Sequence, residues 1–158
     1  MPERSPRAPS PAPDRRRVLV IEDDPDIAEA ITYQLERAGM AVKVARTGEE
    51  GLEGVRRGAD LVLLDLNLPK KDGRQVLLEI KADPDLRRIP VIVLTTSAAE
   101  RDVLQAYDQH VNAYVRKPVG YTALLDVVRS IQDFWIGAAL LPPREPAVAP
   151  GDAVAETG

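Results

Sequence analysis

The stretch VLVIEDDP, residues 18–25, decides the fold of this chain. Its first half, residues 18–21, is apolar throughout, which is what a parallel sheet covered by helices on both faces requires of a strand. Its second half is acidic and ends in Pro25, a residue favoured in the first turn of a helix. The stretch therefore predicts a buried parallel strand that passes through an acidic turn into a helix.

The same alternation of a short apolar run and a segment of helical periodicity continues along the chain. Five strands are predicted, at residues 18–21, 41–45, 61–64, 91–94 and 113–115. Helices are predicted between Pro25 and Gly39 and near residues 47–57, 73–83, 98–109 and 121–140. The first, third and fourth strands have no polar face, so they should be central. We predict an α/β fold, a doubly wound five-stranded parallel sheet of flavodoxin-like (βα)5 order with an extended C-terminal helix.

Composition predicts one soluble globular domain, since 44% of the 158 residues are hydrophobic and 29% are charged. We place this domain at residues 17–141, between a disordered Pro/Arg-rich arm at 1–16 and a disordered Pro/Ala-rich tail at 142–158. No apolar run is long enough to span a bilayer, so no membrane contact is expected and a cytoplasmic protein is predicted. The net charge of -4 argues against a broad nucleic-acid-binding surface.

Chemically active side chains follow four of the predicted strands. Glu22 and Asp23 follow the first strand, Asp65 the third, Thr95 the fourth and Lys117 the fifth. Because functional groups of open α/β sheets gather past the carboxyl ends of the strands, we expect these side chains to meet in one cleft. Crowded carboxylates need a compensating cation, and Mg²⁺ prefers such oxygen ligands. Lys117 adds positive charge and Thr95 a hydroxyl donor, a combination that suits phosphoryl chemistry.

These residues, together with several neighbours, resemble the response-regulator receiver family over residues 17–141. The resemblance is carried by Glu22 and Asp23, Asp65, Pro69, Asp72 and Gly73, Thr95, Tyr114, and Lys117 with Pro118. It implies a phosphoacceptor that assists its own phosphorylation and dephosphorylation, and not an enzyme acting on a separate substrate.

Roles are carried over by position. The resemblance implies that Asp65 is the phosphoacceptor. It implies that Mg²⁺ is held by Asp23, Asp65 and the backbone carbonyl of Asn67, with Glu22 acting through water. Lys117 is then the lysine that contacts a phosphoryl oxygen. A cis peptide bond before Pro118 would turn Lys117 inward, and Thr95 and Tyr114 would form the switch pair.

Each of these residues also has a purely structural explanation. Asp23 or Asp24 could cap the first helix, and we expect Asp24 to do so. Thr95 could be an ordinary β-branched strand residue, Tyr114 an edge aromatic and Lys117 an exposed loop lysine. We favour the functional interpretation because the elements occur together and in order.

The last predicted helix and the residues up to Leu141 carry more apolar surface than one face of the sheet can cover. Leu124, Val128, Ile131 and Trp135 form one helical stripe, and further apolar residues follow from Phe134 to Leu141. We predict a homodimer built on the last helix and its extension. The alternative is that this segment folds back onto its own domain.

The amino-acid sequences of three segments narrow the resemblance to one group within the family. Residues 65–74, 94–99 and 130–135 resemble small stand-alone regulators that accept phosphate from bacterial phytochrome histidine kinases. The implied partner is a light-sensing histidine kinase, and the implied function is a phosphorylation switch of protein contacts. The alternatives are a phosphate sink, a phosphate-independent dimeric interaction module, or a magnesium-dependent phosphohydrolase. The last would need a general acid where Asn67 stands.

Overall fold

A computed structural model describes residues 15–96 and 99–143 of the chain, which form one five-stranded sheet covered by helices. Its five strands are all parallel and lie in the order β2-β1-β3-β4-β5. They are β1 (Arg17–Ile21), β2 (Ala41–Ala45), β3 (Leu61–Leu64), β4 (Val91–Thr95) and β5 (Ala113–Arg116). The predicted fold class is confirmed, and the three fully apolar runs are the central strands. Burial on both faces explains why these runs lack a polar side.

A helix follows each strand, and local capping sets where several of them begin. They are α1 (Pro25–Arg37), α2 (Gly48–Arg57), α3 (Gly73–Ala82), α4 (Glu100–Asp108) and α5 (Tyr121–Ile131). The Asp24 carboxylate accepts the backbone N–H groups of Asp26 and Ile27 at 2.9 and 3.3 Å, so Asp24 caps α1 as predicted. Thr47 and Asp72 cap α2 and α3 in the same way.

Two apolar layers hold the helices against opposite faces of the sheet. Helices α1 and α5 pack on one face through residues such as Ile31, Leu35 and Val128. Helices α2, α3 and α4 supply the other layer, with Leu52 and Leu77 among its buried residues. This arrangement leaves the carboxyl ends of the strands open at one edge of the sheet, where the loops to the helices begin.

The C-terminal helix is extended, as expected, but it is not one α-helix over residues 121–140. At its end α5 passes into a π-helical segment, Gln132–Ala138, and the Ala139 N–H bonds to the Phe134 carbonyl at 2.7 Å. This bond spans five residues, which is the spacing of a π turn. The segment partly folds back: Trp135 and Ile136 pack against the α1 side of the core, and Leu141 is buried.

Most of the predicted arm and tail lies outside the described residues. Only Arg15 and Arg16 of the arm, and Pro142 and Pro143 of the tail, fall within them. The disorder of both segments and the domain limits at 17 and 141 therefore stay predictions. Within the part of the chain that the structure describes, none of the helices is both long and apolar enough to cross a membrane.

Candidate functional site

The side chains predicted to meet do so at the carboxyl edge of the sheet. Glu22 follows β1, Asp65 follows β3, Thr95 is the last residue of β4 and Lys117 follows β5. Backbone hydrogen bonds continue the sheet through this region. The backbone N–H of Asp65 donates to the Ile21 carbonyl at 3.0 Å, and that of Lys117 donates to the Thr95 carbonyl at 2.7 Å. The strand ends are thus held in register, which fixes where the side chains emerge.

Three carboxylates form an acidic cluster. Glu22, Asp23 and Asp65 each place one carboxylate oxygen within 4.8 Å of the others. Glu22 and Asp65 are buried, while Asp23 is exposed at the mouth of the site. Hard divalent cations prefer a set of oxygen donors of this kind, with water completing the coordination at the open side. The residues present therefore fit a divalent metal site.

Lys117 lies between two of these carboxylates. Its Nζ is 2.6 Å from Oε1 of Glu22 and 3.2 Å from Oδ2 of Asp65, and its side chain is only 7% exposed. Burial raises the pKa of Glu22 to about 7 in spite of the Lys117 contact, and the Asp65 charge adds to this rise. Burial acts to lower the pKa of Lys117, yet the two carboxylates together raise it above its usual value. The raised pKa of Lys117 reflects its two carboxylate neighbours, whereas the raised pKa of Glu22 reflects mainly its burial away from water.

The expected cis bond before Pro118 is not present. No peptide bond is cis in residues 15–96 and 99–143, so the Lys117–Pro118 bond is trans. A cis bond is not needed to turn the lysine inward, because Lys117 reaches Glu22 and Asp65 with a trans bond. Trans is also the more stable form of an X–Pro bond, by about 0.5–1 kcal/mol.

Asn67 and Thr95 lie beside the acidic cluster. The backbone N–H of Asn67 donates to Oδ1 of Asp65 at 3.1 Å, which turns the loop after β3 back toward the carboxylate. The Asn67 side-chain amide donates to the Thr95 hydroxyl at 3.4 Å, and Thr95 is fully buried. Asn67 therefore contacts both the Asp65 carboxylate, through its backbone, and the Thr95 hydroxyl, through its side chain.

Tyr114 lies on the strand next to the one that carries Thr95. It is on β5, opposite Val93 of β4, and is half-buried. Its ring packs with Leu68 and Ile89 against the core layer of α2, α3 and α4. The structure brings Asp23, Asp65 and Lys117 together, with Thr95 beside them on β4 and Tyr114 on the adjacent strand β5.

Sequence reasoning missed the groups that hold the loop after β3. Lys71 bonds to Glu79 of α3 at 2.6 Å and to Glu49 of α2 at 3.2 Å. Arg74 joins Asp72 to Asp102 of α4. The only signal in the sequence was a group of charges after Pro69. Glu49 and Asp102 are far from these residues in the chain, so only the tertiary structure identifies them as partners.

Comparisons with known proteins identify the family of this chain. A family profile described as the response regulator receiver domain matches residues 18–129. The response regulator Rcp1 of Synechocystis is 55% identical over 83 residues, which span 52% of this chain and 56% of Rcp1. The chain is thus compared with little more than half the length of that relative.

Two solved structures share the fold over nearly their whole length. The phosphorylated cyanobacterial phytochrome response regulator RcpA is 40% identical with a TM-score of 0.78, covering 82% of this chain and 99% of RcpA. The Mn²⁺-bound form of Rcp1 is 38% identical with a TM-score of 0.77, covering 81% and 99%. The predicted resemblance to small phytochrome-linked regulators is confirmed.

Proposed function

Because this chain belongs to the response-regulator receiver family, we propose that it is a phosphorylation switch in which Asp65 accepts a phosphoryl group from a sensor histidine kinase. The observation that supports this most is the meeting of Asp65 with Glu22, Asp23 and Lys117 in one largely buried pocket. A carboxylate nucleophile beside a cation site and a lysine is suited to forming an acyl phosphate.

The chemistry assigns a role to each group. A carboxylate oxygen of Asp65 attacks the phosphorus of the phosphohistidine, the P–N bond breaks, and the electron pair goes to the imidazole nitrogen. Lys117 and the Thr95 hydroxyl donate to the oxygens of the transferred group. Asp23, Asp65 and the Asn67 carbonyl would hold Mg²⁺ directly, and Glu22 would hold it through water. When bound, this ion neutralises charge on the phosphoryl oxygens.

We propose that the readout of this state uses Thr95 and Tyr114. The Thr95 hydroxyl moves toward the phosphoryl group, and the Tyr114 ring swings inward to follow it. Such a step shifts a two-state equilibrium at the surface formed by α4, β5 and α5. The Asn67–Thr95 contact, which places the Thr95 hydroxyl beside the loop that follows Asp65, supports the first half of this route.

The proposed phosphoryl donor is a bacteriophytochrome-like histidine kinase in the cytoplasm. RcpA, which this chain resembles over most of its length, is described as a phytochrome response regulator. We propose that the chain is a phosphoacceptor and not an enzyme acting on a separate substrate, with neither nucleic acid nor a membrane as its partner. A phosphate sink is the alternative if phosphorylation changes no protein contact.

Phosphorylation by a small donor tests the proposal. Incubation with Mg²⁺ and acetyl phosphate is expected to add one phosphoryl group, measured as intact mass. Removing divalent cations with EDTA should abolish the gain, because the clustered carboxylates then repel the donor. An unchanged mass with Mg²⁺ present would contradict the phosphoacceptor proposal. A gain that persists in EDTA would instead contradict the metal requirement.

We also propose that the chain forms a homodimer through α5 and the π-helical segment. Phe134 is 56% exposed within this element and Leu140 is 98% exposed just beyond it, although Trp135 and Ile136 are partly buried and Leu141 is buried against their own domain. Large apolar side chains left in water next to a covered stripe are typical of an interface. The apolar area available to a partner is therefore smaller than the sequence indicated, and it centres on Phe134 and Leu140.

A substitution at Phe134 tests the dimer. Phe134→Ser is expected to raise the dimer dissociation constant about tenfold or more, which corresponds to roughly 1.4 kcal/mol, measured by analytical ultracentrifugation. Leu78→Ser is the matched control, because Leu78 is an exposed apolar residue of α3 on the opposite face of the sheet. A monomeric wild type, or equal effects of the two variants, would contradict the proposed interface. Repeating the measurement with beryllofluoride shows whether dimerisation depends on the phosphorylated state.

A further inference from the structure

Helix α4 is the helix least held by the core. Of its residues, Glu100–Asp108, only Ala106 is buried, and Leu104 and Tyr107 are 59% and 50% exposed. Its first turn has no side-chain cap, because Ala99 occupies the capping position. By contrast, α3 buries four residues, Gly73, Val76, Leu77 and Ile80. Apolar packing therefore restrains α4 only weakly, so its position depends more on its polar contacts than that of α3 does.

A paired contact between Arg74 and Asp102 joins the first turns of α3 and α4. Arg74 Nε is 3.2 Å from Asp102 Oδ1, and Nη2 is 2.9 Å from Oδ2. The Asp102 side chain is 11% exposed and that of Arg74 is 29% exposed. Two parallel bonds from a guanidinium to a largely buried carboxylate are among the stronger and more directional polar contacts in proteins.

The same guanidinium is attached to the start of α3. Its Nη1 donates to both carboxylate oxygens of Asp72, at 3.1 and 3.2 Å, and Asp72 also caps α3 by accepting the Arg74 N–H at 2.7 Å. The side chain of Arg74 thus contacts one acid at the start of α3 and another in the first turn of α4.

The start of α3 in turn lies against Asp65. The Gly73 N–H donates to the Leu66 carbonyl at 2.9 Å, and the Gly73 backbone packs so closely on Asp65 that a Cβ there would collide with the Asp65 carbonyl oxygen. On the other side, Asp102 belongs to the helix that follows Thr95 in the chain. The Arg74–Asp102 pair therefore connects the backbone next to the acceptor residue with the helix beyond the switch threonine.

We propose that Arg74 and Asp102 are positioning residues that transmit the phosphorylation state of Asp65 to α4, along a route separate from Thr95 and Tyr114. The proposal rests on the phosphoacceptor function proposed above. A displacement of the loop after β3 moves Gly73, the guanidinium of Arg74 follows, and the paired carboxylate carries the first turn of α4 with it. A weakly packed helix responds to such a pull because few other contacts oppose it.

Hydrogen exchange of the full chain measures this coupling. Peptides covering α4 are compared with and without acetyl phosphate and Mg²⁺, and intact mass of the same samples reports the phosphorylated fraction. In the wild type, phosphorylation is expected to change α4 exchange. In Asp102→Asn and Arg74→Lys, which keep similar size but lose the paired charge contact, that change should shrink by about three- to tenfold.

The control is Asp126→Asn, which breaks the exposed Arg129–Asp126 pair of α5 and should keep the wild-type response. A merely structural role for Asp102 would raise α4 exchange equally before and after phosphorylation and leave the difference unchanged, which overturns the proposal. An absent response of α4 in phosphorylated wild type overturns it as well. Failure of the wild type to gain mass would instead contradict the phosphoacceptor proposal, so the two failures are distinguishable.

Discussion

The Asp65→Asn variant is expected to gain no phosphoryl group from acetyl phosphate, while the wild type gains one. An amide lacks the negative charge and the nucleophilic oxygen of the carboxylate, so the covalent step is removed and not merely slowed. We expect the phosphorylated fraction to fall by roughly a hundredfold or more, measured by intact mass with Mg²⁺ present. The fold should persist, because Asn has nearly the same shape and its oxygen still accepts the Asn67 N–H.

The matched control for Asp65 is Asp24→Asn. Asp24 is also an acid at a strand end, but it caps α1, and Asn caps a helix equally well. This control should be phosphorylated to the wild-type extent. A mass gain in Asp65→Asn equal to that of the wild type would place the acceptor on another residue and refute the assignment of Asp65.

The Gly73→Ala variant is expected to lower the free energy of unfolding by about 2 to 3 kcal/mol in urea denaturation. At most helical positions this change is stabilising by up to about 1 kcal/mol, since alanine is the better helix former. At Gly73 the added Cβ would collide with the Asp65 carbonyl oxygen and lie 2.6 Å from the Leu66 Cα. Both neighbours are backbone, so relief requires moving the loop that carries the acceptor. Phosphorylation of the folded variant should therefore slow as well.

Gly137→Ala is the matched control for Gly73, since no heavy atom lies within 4 Å of a Cβ added at Gly137. We expect its unfolding free energy to equal or slightly exceed that of the wild type. If Gly73→Ala is as stable as Gly137→Ala, the close approach of α3 to Asp65 has no energetic consequence. The route proposed through Arg74 would then lose its first step.

Local patterns were sufficient to predict much of the fold. The apolar runs at residues 18–21, 61–64 and 91–94 lie at the centre of the sheet, because only a strand buried on both faces tolerates a run without polar residues. The cap at Asp24 could also be predicted, because capping depends on the nearest two or three residues. The π turn at the end of α5 was not predicted, because such turns are rare and this one covers only the short segment Gln132–Ala138.

The site, like the fold, was predicted only in part from the sequence. Parallel strands bring their carboxyl ends to one edge, so the meeting of Glu22, Asp23, Asp65 and Lys117 followed from topology. The isomer of the bond before Pro118 did not follow, because the lysine reaches its partners in the trans form.

By itself, then, the sequence determined the strand order, the strand-end acids and the family, because these depend on local periodicity and on residues at fixed offsets from strands. The tertiary structure decided how the acceptor loop is held. The contacts of Lys71 with Glu49 and Glu79 join the loop after β3 to α2 and α3, and the contact of Arg74 with Asp102 joins α3 to α4. It also decided how much of the C-terminal apolar surface stays exposed, with Phe134 in water and Leu141 buried. Such pairings depend on how the helices pack in three dimensions, and no spacing along the chain encodes them.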